Sequence, residues 1–146
     1  MGELKVSGGA GNGVQTDYDS IIIGAGFSGL GMQYHLREVG LKSRVFEAGS
    51  GVGGAWYWNR YPGCRTDSEF YYYCFSFSKE VRNEWTWKER YPAQPEVLAY
   101  LEFVASRLDL NKDITFNTKI TRAEYDQDNN IWTVTTDNGD SYTARY

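Results

Sequence analysis

The amino-acid sequence predicts an α/β protein: a Rossmann-like dinucleotide-binding fold with a parallel sheet, followed by an antiparallel β-meander. Three observations predict it. Ile21-Ile22-Ile23 runs into Gly24-Ala25-Gly26-Phe27-Ser28-Gly29, a Gly-x-Gly-x-x-Gly turn behind a β-branched run. A helical pattern and a second short strand then follow, and the strand ends on an acid, Glu47. From Asp113 the chain changes to short strands separated by turn residues.

Residues 1–16 carry Gly8, Gly9, Gly11 and Gly13 among small polar residues without periodicity. They read as a flexible leader before a unit spanning 17–146. The three isoleucines read as a central parallel strand buried on both faces. Gly24 permits the sharp turn, Gly26 lets backbone approach a pyrophosphate, and Gly29 lets the helix lie close on the strand. The pyrophosphate then sits at the helix N-terminus, where free N–H groups and the helix dipole favour negative charge.

Gly29, Met32, Leu36 and Val39 recur at helical spacing, and Gly40 stands where that helix should stop. Ser43 to Phe46 is the second strand. A carboxylate at its tip, Glu47, can accept hydrogen bonds from a ribose hydroxyl and would repel a 2′-phosphate, so this first site suits the adenosine of FAD or NAD better than that of NADP.

A second glycine cluster, Gly49, Gly51, Gly53 and Gly54, leads into Ala55-Trp56-Tyr57-Trp58-Asn59-Arg60-Tyr61-Pro62-Gly63. This stretch is too irregular for a helix and too aromatic for a solvated linker, and a long loop inside a compact domain is usually functional. Phe70 to Phe75 is aromatic again, and Glu84 to Lys88 alternates. Gln94-Pro95-Glu96 announces a helix whose apolar face is Val97, Leu98, Leu101, Val104, Ala105 and Leu108. Strands are expected at Ile114 to Phe116, Lys119 to Tyr125, Ile131 to Thr136 and Tyr142 to Tyr146, with turns at 128–130 and 137–140.

The 146 residues suffice for one domain with a real core. The net charge of −4 without a basic run argues against nucleic acid and anionic membranes, and no apolar stretch approaches a spanning helix. No secretion signal is apparent, so Cys64 and Cys74 are expected as reduced thiols in a cytoplasmic setting. No metal site is expected, because His35 is the only histidine and no Cys-x-x-Cys pair exists. Aromatic residues make up 16% of the chain and crowd between Trp56 and Trp87, which marks a site or a packed loop.

A doubly wound sheet places the first strand centrally, with the second and third to one side and a fourth on the other. No apolar run remains for that other flank, so the isoleucine strand is expected to keep a bare edge. The chain thus reads as the N-terminal part of a longer protein, its fold incomplete at the C-terminus.

Gly53-Gly54-Ala55-Trp56-Tyr57-Trp58-Asn59-Arg60-Tyr61-Pro62-Gly63, with Arg65 and Asp67 behind it, resembles the Baeyer-Villiger monooxygenases. The resemblance runs from about Tyr18 to Tyr146 and includes Tyr73 to Ser78 and Glu84 to Trp87. It implies FAD and NADPH as cofactors, a ketone and O2 as partners, and insertion of oxygen beside the carbonyl to give an ester or lactone. Carried over by position, it implies that Gly24, Gly26, Phe27, Ser28 and Gly29 surround the FAD pyrophosphate and that Glu47 takes the ribose. Gly54, Ala55, Trp56, Tyr57 and Trp58 would run towards the flavin, with Asp67 and Tyr73 near the isoalloxazine and Ile120 at the adenine end. Arg65, Thr66 and Asp67 would face NADP, and Asp67 is the one candidate for a supporting part in catalysis, positioning an arginine from beyond residue 146.

The family's histidine-containing fingerprint, its second glycine motif and its Ala-Thr-Gly segment have no counterpart here, and Cys64 stands where alanine is common. The 146 residues alone are therefore expected to be inactive. Plainer readings stand beside these: His35 as a helix-surface residue, Trp85 and Trp87 as packing, Asp67 as a turn or cap, Cys64 as a small buried hydrophobe. The residues themselves also leave open an N- or S-oxygenating flavin monooxygenase, an NAD-binding dehydrogenase domain, or a nucleotide-binding regulatory module.

Overall fold

The computed structural model describes residues 14–146. Most of the segment read as a leader, residues 1–13, lies outside the described residues. Strand β1 (Ser20–Ile23), helix α1 (Phe27–Glu38) and strand β2 (Ser43–Phe46) form a parallel βαβ unit, and β3 (Ile114–Thr115) extends the sheet in the order β1-β2-β3. This is the predicted order. Burial along β1 differs from the prediction, because Ile22 is buried whereas Ile23 is 61% exposed.

The face that α1 buries also differs. It carries Gly29, Leu30 and Gln33, while Met32 and Val39 from the predicted stripe are exposed. A buried glutamine disguises the true face, and its amide is satisfied on both sides: Oε1 accepts from Ser43 Oγ (3.0 Å), and Nε2 donates to Asp113 Oδ2 (3.2 Å). Asp113 also pairs with Arg37 at 2.6 Å, so one turn of α1 is tied to both neighbouring strands' entry points.

Between β2 and β3 the chain makes α2 (Ala55–Trp58), α3 (Lys79–Glu84), α4 (Gln94–Arg107) and a 3-10 turn (Asn111–Asp113). The single turn of α2 corrects the reading of this stretch as wholly irregular; the chain enters it through Gly54 at φ +54°. Helix α4 buries Val97, Leu101, Val104 and Ala105 as its spacing predicts, and Tyr100 besides. These side chains pack with Leu30, Val45, Leu110 and Ile114 into one core, each fully buried Leu or Val contributing about 1.5–3 kcal/mol.

Helix α3 has no counterpart among the elements expected from the sequence. Its N-cap, Ser78, is buried, and the hydroxyl accepts a hydrogen bond from Val81 N at 3.2 Å. Ser78→Ala is expected to cost about 1 kcal/mol, read as a lowered denaturation midpoint in urea. An unchanged midpoint would show that the cap contributes nothing.

Strands β4 (Ile120–Asp126), β5 (Ile131–Thr136) and β6 (Ser141–Ala144) form the predicted antiparallel meander, with Asn130 and Gly139 at positive φ in its two turns. After β6 the chain leaves the meander and runs along β1. Tyr18 bridges Ala144 in parallel, Tyr146 N donates to the Asp19 carbonyl at 3.0 Å, and Ile21 N donates to the Tyr146 carbonyl at 2.8 Å. The expected bare edge is therefore covered from Tyr18 to Ile21.

Cys64 and Cys74 are free thiols. Among the described residues, no helix is long and apolar enough to cross a membrane, and no three His, Cys, Asp or Glu side chains are grouped to hold a metal ion.

Candidate functional site

Strand β1 delivers the chain to Gly24, whose φ of +97° lies in the region that side chains disfavour; a Cβ there would point into open space. Gly29 seats α1 on the turn, since a Cβ on it would lie 1.9 Å from the Gly24 carbonyl oxygen. Gly26 also has a close protein neighbour. A Cβ on Gly26 would meet Gly54 Cα at 3.3 Å, and a Cβ on Gly54 would meet Gly26 Cα at 2.9 Å. The two glycine clusters thus pack backbone to backbone, joined by Gly53 N donating to the Ala25 carbonyl at 2.9 Å.

A groove of about 290 Å³ opens beside this contact, with Phe27, Ser28 and the glycine turn on one wall and Ala55, Trp56 and Tyr73 on the other. Helix α1 begins at the groove with no side-chain cap on Gly26 and no acid in its first turn. Its first N–H groups have no intrahelical partners, and they carry the positive end of the helix dipole. An anion lodged in the groove would satisfy both conditions.

Glu47 holds this arrangement together. It is 4% exposed, and its two carboxylate oxygens accept from Ala25 N and Gly49 N, each at 2.7 Å. One buried carboxylate therefore clamps the first glycine loop to the second, a role that the sequence reading missed. Each oxygen keeps a further lone pair for a ribose hydroxyl. The β3–β4 loop closes on the same place, with Thr118 N donating to the Glu47 carbonyl and Asn117 N to the Gly49 carbonyl, both at 2.9 Å.

The aromatic wall is equally constrained. Trp56 Nε1 donates to the Tyr73 hydroxyl at 3.0 Å, and the Phe27 and Tyr73 rings meet edge to face at 5.0 Å. The Trp56 carbonyl accepts from Nε2 of Gln94, a buried side chain at the start of α4 that sequence reasoning treated only as a helix start. No sequence pattern distinguishes such a glutamine from an ordinary first-turn residue.

The remaining candidates lie outside the groove's lining. Tyr57 packs on the second glycine loop, where a Cβ on Gly49 would come within 2.8 Å of its ring, and its hydroxyl contacts Ser50 Oγ at 2.8 Å. Hydrogen bonding from Ser50 lowers the Tyr57 phenol below its ordinary pKa. Trp58 is 61% exposed and meets Tyr57 edge-on. Arg65 pairs with Glu89 at 3.0 Å, and buried Thr66 donates its N–H to the Pro92 carbonyl at 3.0 Å. Asp67 is exposed in a separate hollow with Glu69, Tyr71 and Tyr72. Ile120 opens β4, two residues past Thr118 on the Glu47 side.

A parallel βαβ unit and an anion-ready turn at the carboxyl end of β1 define a Rossmann-like dinucleotide-binding domain. Residues 22–86 match the family described as NAD(P)-binding Rossmann-like domain. The chain is 50% identical to the phenazine N-monooxygenase PhzNO1 of Lysobacter antibioticus over 133 residues, covering 90% of this chain and 25% of that protein. It is 46% identical to a Baeyer-Villiger monooxygenase of Pseudooceanicola batsensis over 134 residues, covering 91% of this chain and 25% of that protein. Among solved structures, the OTEMO complex with FAD and NADP superposes with a TM-score of 0.85 at 41% identity, over 91% of this chain and 25% of that one. Over nine-tenths of its length the chain is thus similar to Baeyer-Villiger and related flavin monooxygenases. It spans about a quarter of the length of the relatives it matches.

Proposed function

We propose that residues 17–146 are the FAD-binding portion of an NADPH- and O2-dependent flavoprotein monooxygenase that inserts oxygen next to a ketone carbonyl to give an ester or lactone. The observation that carries this reading is the 46% identity to a Baeyer-Villiger monooxygenase across nine-tenths of the chain. The groove fits the cofactor's pyrophosphate, because the start of α1 is uncapped there and the second glycine loop leaves room.

Bound FAD would supply the redox chemistry that links NADPH to O2. The protein's part is to bind, orient and keep water out. The first-turn N–H groups of α1 hold the pyrophosphate, and the free lone pairs of Glu47 accept from the adenosine ribose. Phe27, Trp56 and Tyr73 wall the path towards the flavin against water. Gly54 and Ala55 bring the backbone beside that path, while Tyr57 and Trp58 brace the loop from behind. Ile120, next to the loop closed on Glu47, adjoins the adenine. Arg65, Thr66 and Asp67 would face the nicotinamide cofactor, Asp67 in a supporting catalytic part. The two free thiols support a cytoplasmic setting.

The visible spectrum of the intact protein that carries this chain, followed by NADPH oxidation in air with and without a ketone, tests the reading. A flavin spectrum with ketone-dependent NADPH oxidation and an ester product supports it. The 50% identity to a phenazine N-monooxygenase favours a second reading, N-oxygenation, for which an N-oxide from an aromatic N-heterocycle would be the product instead. A colourless protein that refuses FAD yet binds NAD would overturn both. Asp67→Ala is expected to lower turnover about tenfold or more with flavin content unchanged, the size expected for losing a carboxylate's hydrogen bond to the arginine it positions; normal turnover would remove Asp67 from the mechanism.

A further inference from the structure

The hydrogen bond between Trp56 and Tyr73 can run in only one direction. An indole N–H donates and has no lone pair to accept, so the Tyr73 oxygen is the acceptor in the 3.0 Å contact. The phenol's own proton is then left over, and no acceptor for it exists among the described residues. Both rings line the groove that also holds the uncapped start of α1.

The pair is held from both sides. Phe27 meets the Tyr73 ring edge-on at 5.0 Å, Trp56 meets it edge-on at 5.6 Å, and buried Gln94 grips the Trp56 backbone carbonyl. With its ring packed against Phe27 and Trp56 and its oxygen held by the indole, the freedom left to the phenol is the direction of its O–H.

We propose that Trp56 is a positioning residue that fixes Tyr73 as a hydrogen-bond donor to a phosphate oxygen in the groove, so that the two side chains hold the pyrophosphate as one unit. This rests on the reading of the groove as a dinucleotide site. The phenol adds a side-chain donor opposite the backbone donors of α1, and the indole keeps that phenol from turning its oxygen, rather than its proton, towards the anion.

The test is a double-mutant cycle on the flavin-free intact protein, with affinities for FAD, ADP and adenosine measured for wild type, Trp56→Phe, Tyr73→Phe and the double variant. Tyr73→Phe deletes only the hydroxyl, and Trp56→Phe keeps an aromatic ring while removing the indole N–H, any loss from its smaller size being read by the adenosine control. Tyr73→Phe is expected to weaken FAD and ADP about tenfold or more and Trp56→Phe about fivefold, with the double variant within twofold of Tyr73→Phe alone, because a lost bond to a charged group is lost only once. Adenosine, which has no phosphate, should bind all four proteins alike. Losses that multiply in the double variant, or a Trp56→Phe protein that binds FAD as wild type does, would overturn the inference. Equal weakening of adenosine would also overturn it, by showing a collapse of the loop and not a missing donor. A wild-type protein that takes up no FAD would instead defeat the dinucleotide reading itself.

Discussion

Glu47→Arg is expected to leave the intact protein without retained FAD. Glu47 is 4% exposed and supplies both acceptors for Ala25 N and Gly49 N. Arginine supplies none, so two buried N–H groups lose their partners and a guanidinium is forced against them. Hydrogen bonds to a charged group contribute about 1.5–3 kcal/mol each, so even one lost contribution passed on to cofactor binding is tenfold to hundredfold, and two exceed hundredfold. Glu47→Gln separates the clamp from the charge. Its amide keeps one oxygen but turns an NH2 towards the other backbone N–H, and an intermediate loss of about tenfold is expected. The flavin-to-protein absorbance ratio after gel filtration reads both variants. Full flavin content in Glu47→Arg would take Glu47 out of the site.

Gly29→Ala should be the most destabilising glycine-to-alanine change among the described residues. The added Cβ would lie 1.9 Å from the Gly24 carbonyl oxygen and 3.0 Å from its carbonyl carbon. Both are backbone atoms, so nothing flexible can turn aside. Either α1 lifts off β1 or the Gly24 turn opens, and both movements pull Leu30 and Ile22 out of the core. A loss on the order of 3–5 kcal/mol is expected, near the upper end for single substitutions. Thermal unfolding of the intact flavin-free protein gives the number. Gly40→Ala is a control of a different kind: its Cβ meets nothing within 4 Å, and only the φ of +78° resists it, so a smaller loss of about 1 kcal/mol is expected. If Gly29→Ala melted with wild type, the tight seating of α1 on the turn would be wrong.

The legible part of the fold was the part encoded locally. The isoleucine run, the Gly-x-Gly-x-x-Gly turn, Pro95 at the start of α4 and the Asp137-Asn138-Gly139-Asp140 hairpin each act through φ preferences or short-range periodicity, and each stands where it was read. Helix α3 was missed because six residues hold too little periodicity to register, and its Ser78 cap looks like any loop serine. The face of α1 was misread because Gln33 is buried. Only the distant partners Ser43 and Asp113 make that position tolerable, and pattern arguments count a glutamine as exposed.

The candidate site divides in the same way. The glycine turn, the acid at the tip of β2 and the aromatic loop are visible in the order of the residues, and these are enough to predict a dinucleotide fold. What they do to one another depends on which loops meet. Glu47 serves as a clamp only because the Gly49 loop folds back on the Gly24 turn, Gly26 also meets Gly54 backbone to backbone, and the Tyr73 oxygen is an acceptor here because Trp56 reaches it. The course of Ala144 to Tyr146 along β1 is likewise a pairing between residues far apart in the chain. Local φ/ψ preference and periodicity act over a few residues and can be read from them directly. Close packing and hydrogen-bond direction arise between segments tens of residues apart, and only the tertiary structure decides them.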